Sequence, residues 1–129
     1  MTDNIVARTM EVLAGNPTAA DIDFLVQAHN AIGYLAAQAE TAAEEAEARR
    51  KFEVNSQYVA IKSAPDKVTD KEATARAEVL TYDFLKAEVK AAGKARTLKN
   101  LLSTVTEAIN AIKFLGRYDS PSVRLPGGK

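Results

Sequence analysis

The chain has 129 residues, no cysteine, and 17 acidic against 17 basic side chains, so its formal net charge is zero. This length predicts a single domain, and the absence of cysteine excludes a disulfide framework and any site built on thiolates. No apolar run approaches the roughly 20 residues of a membrane span, and the first residues lack the features of a signal peptide, so we expect a cytoplasmic protein with no membrane partner.

A clear stop signal separates the first two predicted helices. A short helix over about 3–14 ends at residues 15–17, which read Gly-Asn-Pro, because glycine after the last turn and proline beyond it terminate helices. Thr18 then caps a second helix over about 19–63, and Asp21 occupies the reciprocal position of a capping box.

The third predicted helix spans about 70–116 and carries the most regular apolar pattern. Pro65 ends the helix before it, and Thr69 is its N-cap. From Ala73 to Leu115 the pattern alternates intervals of four and three residues, a period typical of a coiled-coil seam, with Lys94 as its one polar member. The seam residues that we expect to mediate self-association are Leu80, Phe84, Leu98, Leu101, Val105 and Ile112.

Two long helices joined by one short turn predict an all-α fold. We expect a long antiparallel, coiled-coil-like hairpin with the short N-terminal helix beside it. Residues 1–117 would form one helical domain, and residues 118–129 a mobile or docking tail. Because a two-helix hairpin buries only one stripe of each helix, we expect copies to assemble into a homo-oligomeric bundle or ring.

Charge is divided unevenly along the chain. The first 48 residues carry eight acids and one base, and the rest carry nine acids and sixteen bases. Folding the hairpin about its turn places Glu40 near Lys94, and the glutamates of 44–47 near Lys86 and Lys90. We therefore expect the acidic cluster to pair with lysines of the third helix.

The tip of the hairpin has a basic excess that this register leaves without acidic partners. Residues 49–76 hold seven bases and four acids, with aromatic residues among them. Cations that meet phosphates and rings that stack on bases favour single-stranded nucleic acid. A solvated tip, or contact with the acidic half of a neighbouring subunit, fits the composition equally well. The candidate nucleic-acid-binding residues are Arg49, Arg50, Lys51, Tyr58, Lys62 and Lys67.

No motif for catalysis or metal binding stands out. The single histidine, His29, has no Glu-x-x-His motif of the kind that ferritin-like bundles use. There is no phosphate-binding glycine loop, and no serine or threonine has a plausible base partner. We therefore expect a protein that is not an enzyme and that has no metal or cofactor.

Two segments resemble the UvsY family of recombination mediators from T-even-like phages. Residues 28–34, Ala-His-Asn-Ala-Ile-Gly-Tyr, are similar to the start of the first long helix of that family. Residues 101–113, where a Leu-Leu pair precedes Glu-Ala-Ile-Asn-Ala-Ile-Lys, are similar to its C-terminal helix. The similarity covers roughly residues 28–118 of this chain.

The resemblance implies a ring-like homo-oligomer that binds single-stranded DNA. Such a protein helps a RecA-type recombinase to displace single-strand-binding protein. Lys62 matches the family's DNA-binding bases before the turn, and residues 49–51 lie upstream on the same helix. Residues 40–47 depart from the family, whose corresponding helix is rich in lysine.

The sequence also fits a second class of function. A sustained apolar seam without catalytic motifs is typical of coiled coils that act through protein–protein contacts. The alternative is therefore a structural or adaptor coiled coil, or a small phage-type inhibitor, that binds a specific protein and is indifferent to DNA.

Overall fold

The computed structural model describes residues 2–119, with side chains over 4–116. This part of the chain contains no strand, so the predicted all-α class is confirmed. A 3₁₀ turn at Ala19–Asp21 precedes the second helix. The α-helices are α1 (Thr2–Ala14), α2 (Ile22–Ser63), α3 (Asp70–Leu80) and α4 (Tyr82–Asp119). Of the predicted tail, 118–129, the first two residues belong to α4, and the rest lie outside the described residues.

Local capping interactions place the helix ends close to the predicted positions. The Asp21 carboxylate accepts a hydrogen bond from the Thr18 N–H at 2.8 Å, which is the reciprocal half of the predicted capping box. The Thr69 hydroxyl oxygen accepts from the Glu72 N–H at 3.1 Å and so caps α3. After α1, the left-handed residue is Asn16, with φ 57°, a residue type that tolerates this conformation.

The predicted third helix is wrong in one respect, because it is interrupted at Thr81. This residue has φ −109° and ψ 20°, and its buried hydroxyl donates to the Ala77 carbonyl oxygen at 2.7 Å. Such a side-chain bond can bend a helix, but Thr104 and Thr106 make the same bond within the continuous helix α4, so the interruption is defined by the backbone angles of Thr81. Two helices, α3 and α4, therefore replace the single predicted one.

The interruption changes which residues of the predicted seam are buried. Ala77 is buried as the pattern requires, but the next buried position is Thr81, and Leu80 is exposed. Further along, Ala95 is buried and Lys94 is exposed, so Lys94 is not the polar seam residue that we predicted. The buried positions 73, 77 and 81 are separated by two successive steps of four residues, and an extra step of four breaks the alternation of four and three and shifts part of the seam by one residue.

The chain forms two compact units. Unit 1 consists of Met1–Ala36 and Thr97–Lys129, and unit 2 consists of Ala37–Arg96. Helices α2 and α4 each contribute to both units.

Large aliphatic side chains of α2 and α4 form the core of unit 1. Leu25, Ile32 and Val105 are fully buried. Gly33 of α2 faces Leu102 of α4: a Cβ atom at Gly33 would lie 3.9 Å from Leu102 Cδ1, an ordinary van der Waals contact.

Helix α1 is joined to α2 within unit 1 by a cation–π contact. The Arg8 guanidinium carbon lies 4.9 Å from the centroid of the Phe24 ring. Thr9 is buried, and its hydroxyl donates to the Ile5 carbonyl oxygen at 2.6 Å, so its polar atom is satisfied within α1. Unit 1 therefore contains three helical segments around one core.

Unit 2 is built differently, because every buried side chain in it is small. The buried residues of this unit are Ala39, Ala73, Ala77, Thr81 and Ala95. Alanine permits close approach of helix axes, but each buried methyl group contributes only about 0.8 kcal/mol. Val54 and Phe84, which are larger, are half-buried. The core of unit 2 is consequently thin.

We expect Ile32→Ala to lower the free energy of unfolding by about 2–5 kcal/mol, because it leaves a cavity among aliphatic side chains. Urea denaturation followed by circular dichroism measures the loss. Val26→Ala is the control, since Val26 lies on the same helix but is 42% exposed; its effect should be less than about 0.5 kcal/mol. Equal losses in the two variants would contradict this assignment of the core.

Candidate nucleic-acid and protein interfaces in unit 2

Ion pairs along α2 occupy two of the predicted nucleic-acid-binding cations. Arg49 Nε lies 2.9 Å from Glu53 Oε2, and Lys51 Nζ lies 3.0 Å from Glu47 Oε2. Both pairs join residues four apart, one helical turn away from each other. Glu53 is one of the four acids of the tip, so its pair with Arg49 is compatible with the predicted basic excess. The pair of Lys51 with Glu47 is not, because Glu47 lies outside the tip, and our expectation that Glu47 pairs with a lysine of the third helix is also wrong.

A third predicted cation, Arg50, is engaged between helices. Its guanidinium forms an ion pair with Glu88 of α4, and both side chains are half-buried. The pair therefore links α2 to α4 inside unit 2. Here the base is on α2 and the acid on α4, whereas we predicted acids on the second helix and bases on the third. Because a partly buried ion that loses its partner is destabilising, we assign Arg50 a structural role.

Three polar side chains meet beside the turn, and we call Tyr58, Lys62 and Asp70 the turn cluster. Lys62 Nζ lies 2.9 Å from Asp70 Oδ1, and the Tyr58 hydroxyl donates to the same oxygen at 3.0 Å. Lys62 Nζ also donates to the Val68 carbonyl oxygen at 2.9 Å. The cluster thus ties the end of α2 to the start of α3.

Hydrogen bonding within the turn cluster shifts the pKa values of all three groups. The bonds from Lys62 and then from Tyr58 lower the pKa of the Asp70 carboxyl below 3.8. The hydrogen bond to Asp70 raises the pKa of Lys62 above 10.5 and the pKa of Tyr58 above 10.0. The paired state is therefore favoured over the whole range between the carboxyl and the phenol titrations.

The remaining candidate cation, Lys67, lies in the turn and has no ion pair within the part of the chain that the structure describes. The accessible ring near the candidate cations is that of Phe52, which is 65% exposed. Sequence reasoning selected Tyr58 instead, whose hydroxyl is bound to Asp70. The two rings differ in which side of α2 they occupy. The sequence does not reveal this, because the apolar pattern that would orient the helix is broken at residues 49–51.

Large apolar side chains are exposed on α3 and α4. Val79 is 75% exposed and Val89 is 63% exposed, although both are aliphatic. We define the α3–α4 apolar face as the exposed residues Val79, Leu80, Tyr82, Leu85 and Val89. Burying such side chains is what usually stabilises a fold, and this face groups five of them, whereas elsewhere in unit 2 the exposed large apolar residues are Phe52 and Val59.

The α3–α4 apolar face is continuous, because neighbouring grooves share residues. Tyr82 and Leu85 line one groove with Val89 and another with Val54 and Val79. A third groove includes Val79 and continues to Leu80. The apolar surface therefore extends along both α3 and the first turns of α4.

The predicted self-association seam is used mostly within the chain. Leu98, Val105 and Ile112 are buried in unit 1, and Leu101 is half-buried there. In unit 2, Phe84 is half-buried beneath Arg49, whose guanidinium carbon lies 5.3 Å from the ring centroid. Leu80 alone among the six predicted seam residues belongs to the exposed face. The prediction did not include Val79, Tyr82, Leu85 and Val89, because they lie outside the spacing of four and three that defines the seam.

No protein-family model matches this chain, and neither the curated proteins nor the solved structures provide a significant match. The resemblance to the UvsY family therefore remains a prediction. Among the described residues, no three histidine, aspartate or glutamate side chains come together as a metal site. No helix over the same residues is long and apolar enough to cross a membrane.

We expect Asp70→Asn to lower the denaturant midpoint at neutral pH, because it removes the carboxylate of the turn cluster. The lowered pKa of Asp70 means that its contribution is complete above pH 3.8 and is lost as pH falls through the folded-state value. The raised pKa of Lys62 means that its contribution is complete below pH 10.5 and is lost at higher pH.

The measurement is the urea midpoint of wild type and variant across pH. The difference between them should be constant around neutral pH and should shrink progressively as pH falls through 3.8 toward the lowered pKa of Asp70. Asp66→Asn, which alters an exposed carboxylate of the same turn, is the control and should show no such dependence. A difference that stays constant into strong acid would contradict the role of Asp70 ionisation.

Proposed function

We propose that this protein acts through protein–protein contacts made by the α3–α4 apolar face. The carrying observation is the distribution of side chains in unit 2, whose fully buried residues are four alanines and a threonine, while two valines, two leucines and a tyrosine are exposed together on this face. A contiguous apolar patch on a protein surface is characteristic of an interaction site. Full burial of each such side chain contributes about 1.5–3 kcal/mol, so covering the face provides a driving force for association.

The shape of this face favours a folded partner over a small molecule. Small-molecule sites are concave and combine apolar walls with a few converging polar groups. The α3–α4 apolar face instead follows the outer surface of two helices, and the grooves between its side chains are lined mainly by apolar residues. Ridges and grooves of this kind are complementary to another helix.

We expect the triple substitution Val79→Ser, Leu85→Ser and Val89→Ser to abolish association while preserving helical content. The serine substitutions reduce the apolar area that association would remove from water, and so they reduce the driving force for association. The measurement is molar mass by light scattering over a range of concentrations, together with affinity capture in which wild type and variants are compared.

The matched control for this variant is Phe52→Ser with Val59→Ser. Both control residues are exposed apolar side chains of unit 2, and they lie about 140–160° around α2 from Val54, which borders the α3–α4 apolar face. The control should associate like wild type. Retention of full association by the triple variant would refute the proposed function.

Single-stranded DNA binding is a second candidate function, favoured by one specific observation. Phe52 is exposed on α2 beside Arg49 and Lys51, whose side chains are each 64% exposed. Exposed pairs at this spacing contribute only about 0.3–0.5 kcal/mol, so phosphates can replace Glu53 and Glu47 as partners of these cations. An exposed ring between cations provides a stacking surface for an unpaired base.

In this second role the protein would act as the resemblance implies, as a homo-oligomer that helps a RecA-type recombinase on DNA coated with single-strand-binding protein. We expect a fluorescent single-stranded oligonucleotide to bind at ~50 mM salt and to dissociate steeply as salt is added. Phe52→Ala should weaken binding by about 1–3 kcal/mol, whereas Val59→Ala should have little effect. Fluorescence anisotropy measures both, and wild-type protein that fails to bind at low salt excludes this candidate.

A further inference from the structure

An acidic ridge borders the α3–α4 apolar face on the side of α2. Glu47 precedes Val54 by seven residues, which is close to two full turns, so the two residues lie on the same side of α2. Val54 lines the groove that also contains Tyr82 and Leu85. Glu44, one turn before Glu47 and likewise exposed, extends the ridge.

A basic ridge borders the same face on the side of α4. Lys86 and Lys90 are one turn apart, both are exposed, and both line the groove that contains Val89. Lys86 Nζ lies 5.7 Å from the centroid of the Tyr82 ring, so its cation is positioned at the edge of the apolar face. The apolar face is therefore bordered by the acids Glu44 and Glu47 on the α2 side and by Lys86 and Lys90 on the α4 side, while Arg50, Glu78 and Arg76 line parts of the grooves between them.

These two ridges are not joined by ion pairs within the described residues. Glu47 is paired with Lys51 on its own helix at an exposed position, where the pair contributes at most about 0.5 kcal/mol. Glu44 and Lys90 form no ion pair in this part of the chain. The pairing that the sequence predicted between these acids and lysines is therefore unfulfilled inside unit 2.

We propose that a second copy of this chain covers the α3–α4 apolar face, in an inference that rests on the proposed function. A two-fold axis parallel to the helices, running along the apolar strip, places apolar residues against apolar residues. The same rotation places the acidic ridge of each copy against the basic ridge of the other. The surface is thus self-complementary, as an isologous interface requires.

Charge also selects one orientation of the two copies. A two-fold axis perpendicular to the helices and within the interface would place acid against acid and lysine against lysine. Opposing like charges across an interface is costly and suppresses such arrangements. The two copies are therefore parallel, with both ridges paired, and we expect the association to weaken as salt screens them.

Reciprocal charge reversal tests this arrangement. The acid-reversed variant carries Glu44→Lys and Glu47→Lys, and the base-reversed variant carries Lys86→Glu and Lys90→Glu. Each variant alone faces like charges across the interface, and we expect its self-association constant to fall by at least about tenfold. An equimolar mixture restores both sets of ion pairs, so we expect it to form a heterodimer. Sedimentation velocity with one variant fluorescently labelled measures this.

Glu45→Lys is the control for charge alone, because Glu45 is exposed and lies roughly 160° around α2 from Glu47. It should associate like wild type. Failure of the mixture to associate, or full association of each reversed variant alone, overturns the inference about charge pairing. The serine variant of the apolar residues tests the proposed function independently of these charges. A wild-type protein that stays monomeric yet captures a different protein through this face overturns the second copy as occupant and leaves the proposed function standing.

Discussion

Close packing of alanines between helices determines how little apolar surface residues 37–96 bury in their own core. Four alanines and one threonine are the buried residues of this unit, and small side chains bring helix axes together without removing much apolar area from water. Directional interactions supplement this thin core, namely the Arg50–Glu88 ion pair, the turn cluster and the Thr69 cap. The unit also retains an apolar surface that can still be buried. Unit 1 differs because leucine, isoleucine and valine side chains fill its core.

The same directional interactions determine which side chains remain available for binding. Arg50, Tyr58 and Lys62 are engaged in holding helices together, whereas Arg49 and Lys51 have weak pairs that a phosphate can replace. The two candidate functions consequently use different surfaces of unit 2. DNA would bind the side of α2 that carries Phe52, and a protein partner would cover the α3–α4 apolar face. Binding at one surface need not exclude binding at the other, so a dimer formed through the apolar face would present its α2 cations twice and bind DNA more tightly through multivalency.

Local signals in the sequence predicted the helices well, and the failures have a common physical origin. Thr18, Pro65 and Thr69 act through their immediate neighbours, so their effects were predictable without tertiary structure. The interruption at Thr81 was missed because a threonine between Leu80 and Tyr82 also fits a continuous helix, and only its backbone angles, φ −109° and ψ 20°, reveal the break. That break changed the register, so Leu80 became exposed and Lys94 left the seam. The charge pairing was mispredicted for a related reason, since partners one turn away compete with partners on another helix.

The central claim is that the exposed face of α3 and α4 is covered by the same face of a second copy. The chain has no cysteine, so a single introduced thiol reports proximity without interference. Leu85 lines the grooves on both sides of the apolar strip, so a two-fold axis along the middle of the strip would bring residue 85 of the two copies together, within the short range that a disulfide requires. Under mild oxidation at micromolar concentration, Leu85→Cys should form a disulfide-linked dimer, and Val59→Cys, on the other side of α2, should stay monomeric. Equal cross-linking at both positions, or none at residue 85, would contradict the account.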